Sequence, residues 1–332
     1  MSIKRTAILG AGSWGLALAG LWSKRGNEIA LWGHNPEHVA LLEKARENPD
    51  YLPGVTLPPA VAVTNDPSVC SGADLVVFVT PSVVVRSVAE RVKLFVPKNA
   101  VLLSCTKGIE HGTGMRMTQI LSEVFPDHTV AVLSGPNLAL EVARDLPTAT
   151  VLGCEEADCA EELQQYLGSS RFRIYSSDET TGIELGGALK NVFAIPAGVS
   201  DGLSLGDNSK AALVTRSLAE LVRLGTAMGG STRTFYGLSG AGDLIATCFS
   251  QHSRNRRVGE QLGRGRELAE ITVSMRMVAE GIPTAKSAYQ CARRFGIETP
   301  IIDQVHAVLY EGKLPAQGLQ DLLARDQKAE RL

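Results

Sequence analysis

A glycine-spaced turn, Gly10-Ala11-Gly12-Ser13-Trp14-Gly15, follows a short apolar run, Thr6–Leu9, and opens a segment, Trp14–Lys24, whose Leu16, Ala17, Ala19 and Gly20 suit a helix lying on a sheet. No other feature of the chain restricts its fold as much. At a strand-to-helix junction the first glycine makes the tight turn, the second lets backbone approach a pyrophosphate, and the third lets the helix pack closely on the strand. The helix N-terminus then faces the phosphates. Lys4-Arg5 ahead of Ala7–Trp22 imitates a secretory leader, but Gly10, Gly12, Ser13 and Gly15 break its apolar centre at this other, purposeful spacing.

The remainder of the first half repeats the strand-then-helix texture. Short runs rich in β-branched residues stand at Glu28–Trp32, Leu75–Thr80, Val101–Cys105, Thr129–Leu133 and Ala149–Gly153. Helical patterns at Pro36–Arg46, Val83–Val92, Met115–Val124 and Asp158–Leu167 lie between them. Such alternation predicts a mostly parallel sheet covered on both faces. After Tyr175 the strand signal stops, and amphipathic patterns take over at Thr180–Ala197, Asn208–Met228, Arg256–Leu262, Val278–Phe295 and Ile301–Leu309. The expected architecture is α/β: an N-terminal Rossmann-like, mostly parallel sheet over residues 1–183, then a second, all-helical domain over residues 184–332. A length of 332 residues fits two such domains.

Composition excludes other classes. The 33 basic and 35 acidic side chains leave a formal charge of −2, which disfavours a general nucleic-acid binder. No apolar run reaches the ~18 residues of a membrane span. The six cysteines form no CxxC pair and the six histidines no HExxH spacing, so no metal site is expected and reduced thiols in the cytoplasm are the plain reading. Glycine is in excess at 33 residues, without a period or a Ser/Gly linker, and often beside single charged residues.

An NAD enzyme commonly places Asp or Glu on the ribose at the tip of the second strand, yet that strand runs out as Trp32-Gly33-His34-Asn35. His34 accepts a 2′-phosphate without repelling it, so NADPH is favoured over NADH; a plain surface histidine is the alternative. Lys107 and the segment Ser134-Gly135-Pro136-Asn137 stand just past two strand ends, where open α/β sheets bind ligands. A solvated loop is the other reading of Lys107. Lys190 lies among apolar neighbours at nearly every helical direction, and Gly186-Gly187 one turn earlier costs about 1 kcal/mol each in propensity, as if something came close there. A partly desolvated lysine serves as general acid or base; a lysine snorkelling from a core helix is the bland reading. Asp243 follows Gly240-Ala241-Gly242 as a site carboxylate or a plain N-cap. Ser253-Arg254-Asn255-Arg256-Arg257 joins a helix cap to cations that suit a small phosphate, or forms a solvated basic face. No GxSxG elbow or Walker A sequence occurs.

With these residues in view, the chain resembles bacterial-type NAD(P)-dependent glycerol-3-phosphate dehydrogenases over nearly its whole length. The resemblance is carried by GAGSWGLALA, CTKGIE around Lys107, SGPNLALEV from Ser134, the long block from Glu184 that holds Lys190, the block from Gly237 through Asp243 and Arg254, and VAEGIPTA from Val278. Asn137 stands where some members have Ser or Thr, and Ser217 where Gly is common. The resemblance implies reversible hydride transfer between NAD(P)H and C2 of dihydroxyacetone phosphate, giving sn-glycerol 3-phosphate for glycerophospholipid synthesis, at a site between two domains. It implies Lys190 as general acid/base, with Lys107 as a second cation and Asp243 as orienting carboxylate. Implied substrate contacts are Lys107, Gly135, Asn137, Lys190, Asp243, Ser253, Arg254 and Asn255. Implied cofactor contacts are Gly10, Gly12, Ser13, Trp14, Gly15, His34, Lys107, Ala139, Arg254, Val278 and Glu280. A homodimer is also expected. Two rival functions remain at this level: a related 3-hydroxy-acid dehydrogenase of the 6-phosphogluconate kind, and a catalytically silent dinucleotide-binding sensor.

Overall fold

The structure, a computed structural model, describes residues 3–326. Its chain divides into two compact units: Met1–Lys107 with Arg116–Thr180, and Gly108–Met115 with Thr181–Leu332. The segment 108–115 therefore leaves the first half of the sequence and joins the second unit, which no linear division at residue 183 contains. Ile109 is buried in the helical unit's core with Leu185, Leu189 and Phe193, and Gly112 and Thr113 are hydrogen-bonded to Gln290 and Arg294.

The first unit is built on eight strands: β1 (Arg5–Leu9), β2 (Glu28–Trp32), β3 (Ala62–Thr64), β4 (Leu75–Phe78), β5 (Val101–Ser104), β6 (Val130–Ser134), β7 (Thr148–Gly153) and β8 (Phe172–Ser177). They are ordered β3-β2-β1-β4-β5-β6-β7-β8. From β3 to β6 all neighbours are parallel, and the order is that of a dinucleotide-binding sheet whose direction of winding reverses between β1 and β4. β7 then runs antiparallel to β6, and β8 parallel to β7. Buried on both faces, β4 is an unbroken apolar run and β5 is apolar up to its final Ser104. Trp22, Leu18 and Leu31 fill the core between sheet and helices.

Two of these strands escape a periodicity reading. β3 is three residues long, too short for alternation to register. β8 does alternate, Phe172 and Ile174 inward and Arg173 and Tyr175 outward, but Arg173, Ser176 and Ser177 dilute its apolar content at the sheet edge. The antiparallel turn of β7 has no local signature either, since strand direction depends on where the chain re-enters the sheet.

In the second unit the long helices Thr180–Gly202 and Gly206–Ala227 are joined by Arg254–Gly263, Gly281–Phe295 and Pro300–Tyr310 around a core that includes Phe193, Leu221, Leu224 and Phe235. The helix Thr180–Gly202 and the helix Arg254–Gly263 cross with their backbones in contact. A Cβ on Gly198 would stand 1.9 Å from the Arg256 carbonyl oxygen, and one on Gly259 1.8 Å from that of Ile195. Gly202 and Gly263 meet similarly one turn along. Only glycine admits such an approach, so these four positions fix the crossing. Shorter helices at Thr232–Phe235, Asp243–Phe249, Leu268–Ser274 and Pro315–Leu323 also belong to the unit.

Candidate active site

In the sheet unit, Gly10 adopts φ +130°, and a Cβ there would overlap the Val79 backbone at 2.9 Å. A Cβ on Gly15 would stand 1.9 Å from the Gly10 carbonyl oxygen. A Cβ on Gly12, by contrast, would meet nothing within 4 Å. That contrast fits a dinucleotide: two glycines are demanded by the turn itself, and the middle one faces the open space a pyrophosphate needs. Gly12 supplies no side-chain cap to the helix Ser13–Ser23, and its first turn holds no acidic residue, which leaves a helix N-terminus suited to an anion.

Around this turn, Ser13 donates its hydroxyl to the Tyr51 carbonyl at 2.5 Å, and Trp14 is half-buried with its ring tilted against Phe172. His34 is exposed at the end of β2, and no carboxylate stands beside it before Glu37. His38 stacks on Tyr51 with ring centres 5.2 Å apart. Burial, reinforced by the nearby His34, holds the His38 ring below the usual histidine range. Sequence reasoning missed Tyr51 and His38 because their only link to the turn is through folding of the intervening loop.

Past β5 and β6, Lys107 donates to the Gly135 carbonyl at 2.9 Å, so two sequence-predicted residues meet here. Asn137 accepts from the Thr150 hydroxyl at 3.0 Å, which fixes its orientation and leaves its buried Nδ2 without a protein partner. An oriented amide donor of this kind fits a polar ligand group better than a sealed core. Ala139 begins the short helix Ala139–Ala143 just beyond.

In the helical unit Lys190 is 7% exposed and Asp243 2%. The lysine Nζ donates to Asp243 Oδ1 at 2.8 Å and to the Thr247 hydroxyl at 2.6 Å, while that hydroxyl donates to Asp243 Oδ1 at 3.2 Å. Thr247 is the member that sequence reading missed. Its signal was present, because it lies four residues after Asp243 and so on the same helical face. Asp243 begins its helix directly after a π-helical turn, Leu238–Gly242, closed by the Gly242 N–H to the Gly237 carbonyl at 3.1 Å. π-turns recur at functional sites. This one passes so close to the lysine helix that a Cβ on Gly186 would stand 2.7 Å from the Ser239 carbonyl oxygen. The glycine that weakens the helix near Lys190 thus admits the turn that delivers Asp243.

The basic segment is organised around the same helix. Ser253 caps Arg254–Gly263 by accepting from the Arg256 N–H. Buried Asn255 donates to Asn191 Oδ1 at 2.8 Å and accepts from the Gly281 N–H at 2.9 Å. Its carbonyl is therefore committed to the start of the helix Gly281–Phe295 and one amide hydrogen to the lysine helix, and what it offers an anion is its remaining N–H groups. Arg254 donates to the Val278 carbonyl at 2.7 Å, and Glu280 stands at the start of the helix Gly281–Phe295.

An anion-ready glycine turn on a doubly wound sheet, with a buried lysine–aspartate–threonine set in a helical unit, defines a nicotinamide-dinucleotide-dependent dehydrogenase. Profiles described as the NAD-dependent glycerol-3-phosphate dehydrogenase N-terminus and C-terminus match residues 5–160 and 179–320. The chain belongs to that family. It is 47% identical over 327 residues to the glycerol-3-phosphate dehydrogenase [NAD(P)+] of Syntrophotalea carbinolica, covering 97% of this chain and 98% of that one. It is 44% identical to that of Desulfitobacterium hafniense, covering 98% and 93%. The crystal structure of glycerol-3-phosphate dehydrogenase from Coxiella burnetii superposes with a TM-score of 0.95 at 36% identity, covering 98% of this chain and 100% of that one. Membership sets aside the 6-phosphogluconate-like reading. Among the described residues no helix is long and apolar enough to cross a membrane.

Proposed function

We propose that this chain carries out the family's reaction, the NAD(P)-linked interconversion of dihydroxyacetone phosphate and sn-glycerol 3-phosphate, with Lys190 as general acid/base. One observation carries the assignment: a nearly buried ammonium held by Asp243 and Thr247 at 2.8 and 2.6 Å. Breaking such a pair is costly and keeping it adds little stability, so its natural use is to present a proton. A bound nicotinamide supplies or takes the hydride at C2. Lys190 then protonates the C2 oxygen during reduction and takes that proton back during oxidation. Asp243 and Thr247 restrain the ammonium so that the proton is aimed rather than free to swing.

The sheet unit holds the dinucleotide through Gly10, Gly12, Ser13 and Gly15, with Trp14 and Ala139 alongside. His34 tolerates a 2′-phosphate where a carboxylate would repel it, which supports NADPH as the preferred form. Lys107, Gly135 and Asn137 contribute a cation, a carbonyl and an oriented amide toward substrate. In the helical unit Ser253, Arg254 and Asn255 suit the phosphate, Arg254 by charge-assisted hydrogen bonds, and Val278 and Glu280 complete the cofactor set. The product feeds glycerophospholipid synthesis, and a cytoplasmic homodimer completes the reading. Free thiols at all six cysteines suit a reducing compartment.

The test is Lys190→Ala assayed by reduction of dihydroxyacetone phosphate with NADPH and with NADH in parallel. Turnover falls by about 10²–10⁴-fold while cofactor binding persists. Near-normal turnover would sink the role of Lys190, and cofactor binding with no turnover by the unmodified protein would favour the silent sensor.

A further inference from the structure

We propose that Asp201 is a positioning residue for the phosphate-binding turn: with Lys210 and Arg256 it forms a clamp that keeps Ser253, Arg254 and Asn255 in place for substrate. The role rests on the reading of that turn given above. Asp201 lies near the end of the helix Thr180–Gly202, about 16 Å of helix beyond Lys190. Its two carboxylate oxygens accept from Lys210 Nζ at 2.9 and 2.8 Å. Arg256 Nε stands 2.6 Å from Oδ2 as an ion pair. The side chains of Lys210, Arg256 and Asp201 are only 7%, 13% and 21% exposed, and Lys210 Nζ also sits 4.8 Å over the Phe249 ring. One carboxylate thus joins three helices and is shared between two cations that are largely removed from water.

Arg256 is gripped on every side. Its guanidinium meets Asp201 and, at 3.3 Å, Glu260; its N–H is bonded by Ser253; and its carbonyl occupies the space where a Cβ on Gly198 would stand. A residue fixed at side chain, donor and acceptor sets the position of the turn it belongs to, and that turn presents Ser253, Arg254 and Asn255. Hydrogen bonding within the turn does not require the Asp201 contact, because the Ser253 cap alone closes it. The glycine crossing sets how closely the two helices approach; what the clamp adds is an ionic tie at the first turn of the helix Arg254–Gly263, next to Ser253, Arg254 and Asn255. Without the carboxylate, Arg256 keeps Glu260 on its own helix but loses its ionic tie to the helix Thr180–Gly202, and the turn shifts from the place its phosphate contacts need.

Asp201→Asn raises KM for dihydroxyacetone phosphate about tenfold or more and leaves kcat within about threefold, since a misplaced binding turn costs affinity and the proton-transfer set is untouched. The double variant Asp201→Asn with Lys210→Met removes the unpaired lysine and guards against a folding defect; its KM stays raised, because Arg256 still lacks its ionic tie to the helix Thr180–Gly202. Three results overturn the proposal: recovery of KM in the double variant, which would make the effect one of unpaired buried charge; a lower KM, which would make Asp201 only a brake on the local positive field; or a loss of kcat with KM unchanged. Turnover of the unmodified protein and its loss in Lys190→Ala, run beside these, report on the underlying reaction separately.

Discussion

Gly259→Ala is a one-carbon change whose consequence follows from the crossing of two helices. The added Cβ would sit 1.8 Å from the Ile195 carbonyl oxygen, 2.8 Å from its carbon and 2.9 Å from the Val199 nitrogen. All three are backbone atoms, so no side chain can swing aside. Restoring ordinary contact requires the helix Arg254–Gly263 to move outward by about 1.5 Å. Overpacking of this kind costs up to about 3 kcal/mol, and alanine returns about 1 kcal/mol of helix propensity over glycine. The net loss is about 2 kcal/mol, read as several degrees of melting temperature. Function suffers more, because Ser253, Arg254 and Asn255 ride on the displaced helix, and a shift of about 1 Å costs about 10²-fold in kcat/KM. Thermal melting followed beside steady-state reduction of dihydroxyacetone phosphate reads both effects. Gly20→Ala is the control: its Cβ would meet only Pro58 Cδ at 3.8 Å, so it is neutral or slightly stabilising. Wild-type melting and activity in Gly259→Ala would refute the backbone-to-backbone crossing as a constraint on the turn that carries Ser253, Arg254 and Asn255.

Two further outcomes are expected. Glu220 is 1% exposed and accepts from the Ile301 and Ile302 N–H groups at 3.0 and 2.8 Å, yet burial outweighs these bonds and pushes its carboxyl from 4.5 up to about 7. The folded protein therefore holds a proton that the unfolded chain has released between those values. This contribution is full below pH 4.5 and is lost as pH rises through about 7, to a limit of about 3 kcal/mol. Glu220→Gln should flatten the fall of melting temperature across that window, and an unchanged slope would contradict it. His34→Asp places a carboxylate at the tip of β2, so the ratio of kcat/KM for NADPH to that for NADH should drop by about tenfold or more; an unaltered ratio would remove His34 from the 2′-phosphate.

What could be read from the chain was what is decided locally. Gly10, Gly12 and Gly15 announce a turn through their spacing after a strand, although the backbone that demands glycine at position 10 is that of distant Val79. Leu75–Thr80 reads as a strand because all its residues after Leu75 are β-branched or aromatic, and Asn208–Met228 as a helix because its apolar period is near 3.6. Lys190 stood out because its neighbours in sequence are also its neighbours on the helix. β3 and β8 were lost to shortness and to a polar edge, and the π-turn before Asp243 to a glycine-rich stretch with no periodicity.

The sequence by itself determined the dinucleotide turn, the alternation that makes a parallel sheet, the change to helices after Tyr175, and the lysine set among apolar neighbours that is proposed to carry the proton. Tertiary structure decided the company each residue keeps. It turned β7 against β6, drew residues 108–115 into the helical unit, set Thr247 against Lys190, committed Asn255 to Asn191 and Gly281, and gathered Lys210 and Arg256 on Asp201. Propensity and periodicity act over one or two turns of chain. Partners tens of residues apart are chosen by which surfaces can pack at full density once the elements exist, and the glycines at 198, 202, 259 and 263 are legible as contacts only when both helices are in place.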